Sequence, residues 1–221
     1  TPYFNSAGTK REVSTAESTA FGSTSKSYIV GIKNGSISVE GMFEGSLNGV
    51  DAALTSMLGN AQIATILTGG STIGNGCAIV AVKENKYEVS SPVDDIVAIT
   101  AEFQADGGVD NGVVLAGNLA VSTTSTGSAA NGGAGTTNGG VAHLHVTANT
   151  RNGTAVAKIQ HSADNATWAD LVTFTTISTS TVTSERKVVS AGTTVNRYLR
   201  AVITPAGSTG SLTVTVAFAR R

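Results

Sequence analysis

Two short alternating runs open the patterned part of the chain. Residues 27–33 place Tyr28, Val30 and Ile32 on one face, residues 36–43 place Ile37 and Val39 likewise, and Asn34-Gly35 lies between them. Asn-Gly between alternating runs predicts a β-hairpin. Over residues 49–58 the period changes: Val50, Ala53, Leu54, Met57 and Leu58 recur at helical spacing, with Asn48 placed to cap the start and Gly59 to end the helix. A helix this short must pack on a sheet to persist. Residues 62–67, 76–83, 86–91 and 96–104 then read as strands, with turns at Thr68-Gly69-Gly70 and Glu84-Asn85. Further strands are expected at 142–149, 155–161, 169–175, 185–189, 198–204 and 212–219, with turns at Arg151-Asn152-Gly153, Ala163-Asp164-Asn165 and Pro205-Ala206-Gly207. Trp168 and Tyr198 are the large anchors expected in that core.

Composition supports the β reading. The 221 residues include 31 Thr, 23 Ser and 26 Gly, more than a third of the chain, with 3 Pro and 5% aromatics. Residues 122–140 (STTSTGSAANGGAGTTNGG) contain no charge, no aromatic and no bulky apolar side chain, so they read as a flexible linker. The expected organisation is therefore residues 1–121, a linker at 122–140, and residues 141–221, with residues 1–27 forming an extended polar arm. Charge divides in the same way: residues 1–125 carry 6 basic and 12 acidic side chains, net −6, whereas 141–221 carry 8 and 3, net +5. No apolar run approaches the roughly 20 residues of a membrane-spanning helix, so no membrane insertion is expected. The start, Thr1-Pro2-Tyr3-Phe4-Asn5, lacks a basic segment followed by an apolar one, which predicts no secretory signal and assembly in a cytoplasm.

Chemistry is sparse. His143 and His145 share a strand face and His161 offers a third imidazole, a set that would suit zinc, but ordinary hydrogen bonding is the expected role and no metal is expected. Asp94-Asp95 and the loop Asp106-Gly107-Gly108-Val109-Asp110-Asn111-Gly112 supply carboxylates without the spacing of a calcium loop. The latter reads as a mobile acidic turn, suited to docking on a partner. Cys77 opens an apolar run and is expected to be a buried thiol. No Ser lies in a nucleophile elbow, and the Gly-rich stretch 68–76 lacks the Gly-Lys-Ser/Thr ending of a nucleotide loop. No catalytic residue and no cofactor are expected, and the chain does not read as an enzyme. The basic residues Arg186, Lys187, Arg197, Arg200, Arg220 and Arg221 alternate with Thr and Val rather than clustering with aromatics, so specific nucleic-acid binding is not expected.

Residues 30–45 (VGIKNGSISVEGMFEG), followed by 50–59 (VDAALTSMLG), resemble the opening of the major tail proteins of long-tailed bacteriophages. Residues 87–95 (YEVSSPVDD) and 103–108 (FQADGG) are similar to later strands of that group. Residues 159–168, 196–200 and 218–221 resemble the β-sandwich appendage of some phage tail and virion proteins. The resemblance implies a mainly β fold: a tail-tube-like, barrel-forming sandwich with one short α-helix, plus a small C-terminal all-β sandwich. It also implies a virion subunit forming hexameric rings that stack into a DNA conduit, with itself, the tape measure, the tail terminator and the distal tail protein as partners. Tyr3, Phe4 and Phe21 of the arm and Asp106, Gly107, Gly108 and Asp110 of the loop are the expected inter-subunit contacts. A head or tail decoration protein and a carbohydrate-binding adhesion module are the alternatives.

Overall fold

A computed structural model describes residues 4–46, 49–207 and 209–221. Its elements are β1 (Phe4–Glu17), β2 (Tyr28–Met42), α1 (Val50–Met57), β3 (Ala61–Ile66), β4 (Gly76–Ser90), β5 (Ala98–Ala105) and β6 (Asp110–Val121). The short β7 (Ser125–Thr126) and β8 (Ala130–Asn131) follow, then β9 (Gly140–Asn149), β10 (Ala155–Ser162), β11 (Ala169–Thr173), β12 (Thr183–Val189), β13 (Tyr198–Pro205) and β14 (Leu212–Arg220). The fold is mainly β with one short helix among the described residues, as the patterning predicts. Two compact units form: Thr1–Ala64 with Val80–Val109, and Thr65–Ile79 with Asp110–Arg221.

In the first unit the strands lie in the order β1-β2-β5-β4, each pair antiparallel. Helix α1 buries Leu54 against Ile99 and Ala101 of β5, with Val39, Val50, Tyr87 and Phe103 around them, so its apolar stripe does cover a sheet. Gly49 occupies the N-cap position without a side-chain bond; the Glu44 carboxylate accepts from Val50 N at 3.2 Å instead. Asn48, the expected cap, lies outside the described residues.

The second unit is a β-sandwich. One sheet runs β6-β14-β9-β12, with the first residues of β4 paired to β6, and the other runs β11-β10-β13-β7, with β8 also on β13. Leu144, Val214, Val216 and Phe218 meet Ile159, Leu199, Ala201 and Ile203 between the sheets. On the other face of β14, Ala217 and Ala219 pack with Cys77, Ile79, Val114 and Val141. Coverage of both faces explains why β14 reads as a nearly continuous apolar run rather than an alternation.

Four expectations are corrected. Asn34-Gly35 makes no turn, because β2 continues through it, paired with Glu12 and Arg11 of β1. Glycine is needed there for close approach: a Cβ would fall 2.7 Å from both Lys10 O and Val109 Cγ2. Glu84-Asn85 likewise lies within β4, marked only by a register shift against β5. Residues 122–140 are not a free linker; β7 and β8 pair with β13, Thr136 bridges Val195, and Gly132 lies under the Arg220 guanidinium, which a Cβ there would displace. Small residues there permit close packing, and the division between units falls elsewhere. The extended arm expected over residues 1–27 contains a regular strand, since Phe4–Glu17 is paired with β2.

Candidate assembly surface

Strand β5 pairs with β2 only from Ser36 to Met42, whereas β1 pairs with β2 along its whole length, from Phe4↔Gly41 to Glu17↔Tyr28. Residues 11–17 and 28–35 thus form a two-stranded ribbon beyond the sheet, closed by the loop 18–27. Its root is clamped by Gln104, whose Nε2 donates to Asn34 Oδ1 at 2.6 Å and to Gly35 O at 2.8 Å. Midway, a bulge between Val13 and Thr15 is satisfied locally: Ser14 Oγ accepts from Ile32 N at 2.8 Å and donates to Ile32 O. Near the tip, Ser18 N donates to Ser27 O at 2.8 Å and Lys26 reaches Glu17 at 3.1 Å.

The ribbon leaves β-branched and aromatic side chains in solvent. Val30 is 71% exposed, Ile32 82%, and Phe21 in the tip loop is fully exposed, with Val13, Tyr28 and Ile29 also open. A two-stranded ribbon is marginal by itself in water, and each such side chain gains about 1.5–3 kcal/mol when fully buried. Contiguous apolar exposure of this kind marks an interaction surface. At the opposite end of β2, the strand ends and the loops after β2 and between β4 and β5 expose Met42, Phe43, Val89, Val93 and Ile96, and Phe43 N donates to Val97 O at 2.9 Å to tie those loops together.

Of the contact residues read from sequence, Phe4 is exposed at the start of β1 and Phe21 at the ribbon tip, while Tyr3 lies outside the described residues. Asp106 is exposed beside Lys83 at 3.6 Å, followed by Gly107 and Gly108 at φ +100° and +89°, so these three form a tight turn of the first unit. Asp110 instead opens β6 in the second unit and pairs with Arg221 at 3.0 Å. The expected mobile loop is therefore only a short turn, because β6 begins at Asp110. Sequence reading did not single out Tyr28, Ile29, Val30 and Ile32 as exposed; the signal was their apolar run facing a partner segment of Ser, Thr and charge.

The histidines and most of the basic residues singled out in the sequence are engaged in hydrogen bonds. Thr65 Oγ1 sits 3.1 Å from His143 Nδ1 and 2.9 Å from His145 Nε2, and His145 Nδ1 lies 2.9 Å from Ser184 Oγ. His161 bonds Asn196 N through Nδ1, and among the described residues no three His, Cys, Asp or Glu converge on a metal position. Cys77 is buried, which pushes its thiol up to about 11. Arg197, Arg200, Arg220 and Arg221 bond Asn131, Gln160, the Asn196 and Arg197 carbonyls, and Asp110 respectively. Trp168, expected in the core, is half-buried at the surface.

Among solved structures, the chain is similar to a chain of the virion of a native gene transfer agent particle, at 9% identity and a TM-score of 0.41, covering 50% of this chain and 85% of that one. It is also similar to the SPP1 Dit (gp 19.1) protein, described as a paradigm of the hub adsorption apparatus in phages infecting Gram-positive bacteria, at 10% identity and a TM-score of 0.30, covering 98% and 92%. No protein-family model and no curated protein matches the chain.

Proposed function

We propose that this protein is a structural, self-assembling virion subunit, the tail tube protein of a long-tailed phage, whose copies form stacked, hexameric rings around a DNA conduit. The observation that carries the reading is the exposed β1–β2 ribbon: its apolar side chains and marginal two-stranded pairing call for cover from another copy. The sequence resemblance at residues 30–45 and 50–59 supplies the architecture. An acidic excess in residues 1–125 suits a conduit wall, since cationic walls would hold phosphate and slow a sliding duplex. The role is mechanical, without catalysis or cofactor, and the tape measure, tail terminator and distal tail protein are its partners in the virion.

Electron microscopy of the purified protein across concentration and salt tests the reading. Rings or stacked tubes with an open lumen are expected, and deletion of residues 19–26 at the ribbon tip should abolish them. Monodisperse single copies under every condition would overturn it and move the protein to a decoration or adhesion role.

A further inference from the structure

The first unit carries two apolar surfaces at the two ends of the same strand. At one end is the ribbon, with Phe21, Ile29, Val30 and Ile32; at the other are the base loops, with Val93, which is 98% exposed, and Ile96. Strand β2 has 15 residues, so these ends are about 45 Å apart at the rise of a β-strand, and one copy cannot cover its own base with its own ribbon.

Charge separates the same two surfaces. On the ribbon, Glu12 is matched by Lys10 at its root at 2.6 Å and Lys26 by Glu17 at 3.1 Å, which leaves Arg11 and Lys33 without an ion pair among the described residues. At the base, Glu88 is matched by Lys86 at 2.8 Å. Asp94 and Asp95, directly beside Val93, have no cationic partner among the described residues, and the adjoining Glu44 carboxylate is held ionised below its ordinary range by bonds from Ser46 and Val50 N. The ribbon is thus apolar with two unmatched cations, and the base is apolar with unmatched carboxylates.

We infer that the occupant of the base loops is the ribbon of a second copy of this chain, with the ribbon's apolar residues against Val93 and Ile96 and with Arg11 and Lys33 facing Asp94 and Asp95. Because the two surfaces differ and lie at opposite ends, the contact is head-to-tail and repeats from copy to copy along the direction of β2, instead of closing a two-fold dimer. The charges set register and partner choice, and the apolar side chains supply the burial. This inference rests on the self-assembly reading and adds to it which surface meets which.

The test compares wild type, R11E/K33E, D94K/D95K and the variant carrying all four exchanges, by sedimentation velocity and electron microscopy at fixed ionic strength. All four residues are exposed, and circular dichroism checks that each variant is folded. Each double exchange should raise the concentration needed for half-assembly at least tenfold, and the fourfold exchange should bring it back within about threefold of wild type. Wild-type assembly should also weaken with added salt. If wild type assembles and folded D94K/D95K matches it, or if the folded fourfold variant stays unassembled, this docking is wrong while self-assembly stands. If wild type never assembles, the self-assembly reading fails and this contact fails with it.

Discussion

Arg200 holds its guanidinium over the indole of Trp168, with the guanidinium carbon 4.0 Å from the ring centroid. Its Nε and Nη2 both donate to Gln160 Oε1, Gln160 Nε2 donates to Asp170 Oδ1 at 2.8 Å, and Lys158 Nζ reaches Asp170 Oδ2 at 2.6 Å. A polar chain therefore crosses β13, β10 and β11, with the tryptophan set under one end. Since Trp168 is the only tryptophan, its fluorescence reports this stack alone. Arg200→Ala should shift the emission to longer wavelength and cost about 1 kcal/mol, the usual worth of a partly exposed cation–π contact. An unchanged spectrum would mean that the stack does not persist in solution.

Leu54 is 5% exposed and is the residue through which α1 meets β5. Leu54→Ala should cost about 2–5 kcal/mol, combining lost transfer energy with a cavity. Ser56→Ala, on the exposed side of the same helix, should move the urea midpoint very little.

The hydroxyl of Tyr87 donates to Asp51 Oδ1 at 2.5 Å, joining β4 to the first turn of α1. Tyr87→Phe should destabilise by about 1–2 kcal/mol, as for a hydrogen bond to a charged, part-exposed acceptor, and hydrogen exchange in α1 should speed up. An unaltered exchange rate would remove this bond from the forces that hold the helix.

Glu84 on β4 is 1% exposed, and neither carboxylate oxygen has a hydrogen-bond partner among the described residues. Burial disfavours its charged form and pushes its carboxyl above the ordinary range. Its folded form therefore holds the proton more tightly than the unfolded chain does. Stability from this group is complete below the ordinary glutamate value near 4 and declines as pH rises through the raised value. Glu84→Gln should be more stable than wild type at pH 7 and nearly equal to it at pH 3, measured by urea midpoints; a constant difference across that window would contradict the assignment.

Arg151 is 2% exposed and makes no ion pair among the described residues. Nη1 donates to Ser122 O and Gly210 O at 2.7 and 3.0 Å, and Nη2 to Ala206 O and Gly207 O at 3.2 and 2.9 Å. One side chain thus gathers the carbonyls of separate turns of the second unit. Arg151→Lys keeps the charge but replaces the planar fork with a single nitrogen, and should cost about 2–4 kcal/mol in thermal unfolding given the worth of charge-assisted bonds.

The sequence by itself determined the β class, the helix and most strands of the second unit. The apolar run at Leu212–Arg220, the alternation at Ala155–Ser162, and the turns at residues 151–153 and 205–207 are local signals, and each strand lies within a few residues of its expected place. Strand β6 was not expected, and the tertiary structure decided it along with three other features: Asn34-Gly35 makes no turn, residues 122–140 are pinned on β13, and Trp168 lies beneath an arginine rather than in the core. In each case the deciding partner is remote in sequence: Gln104 for Asn34, Arg220 for Gly132 and Arg200 for Trp168. A turn-forming dipeptide or a Gly-rich run states only what the backbone is free to do; strand pairing and close packing by distant residues fix which of those conformations is used.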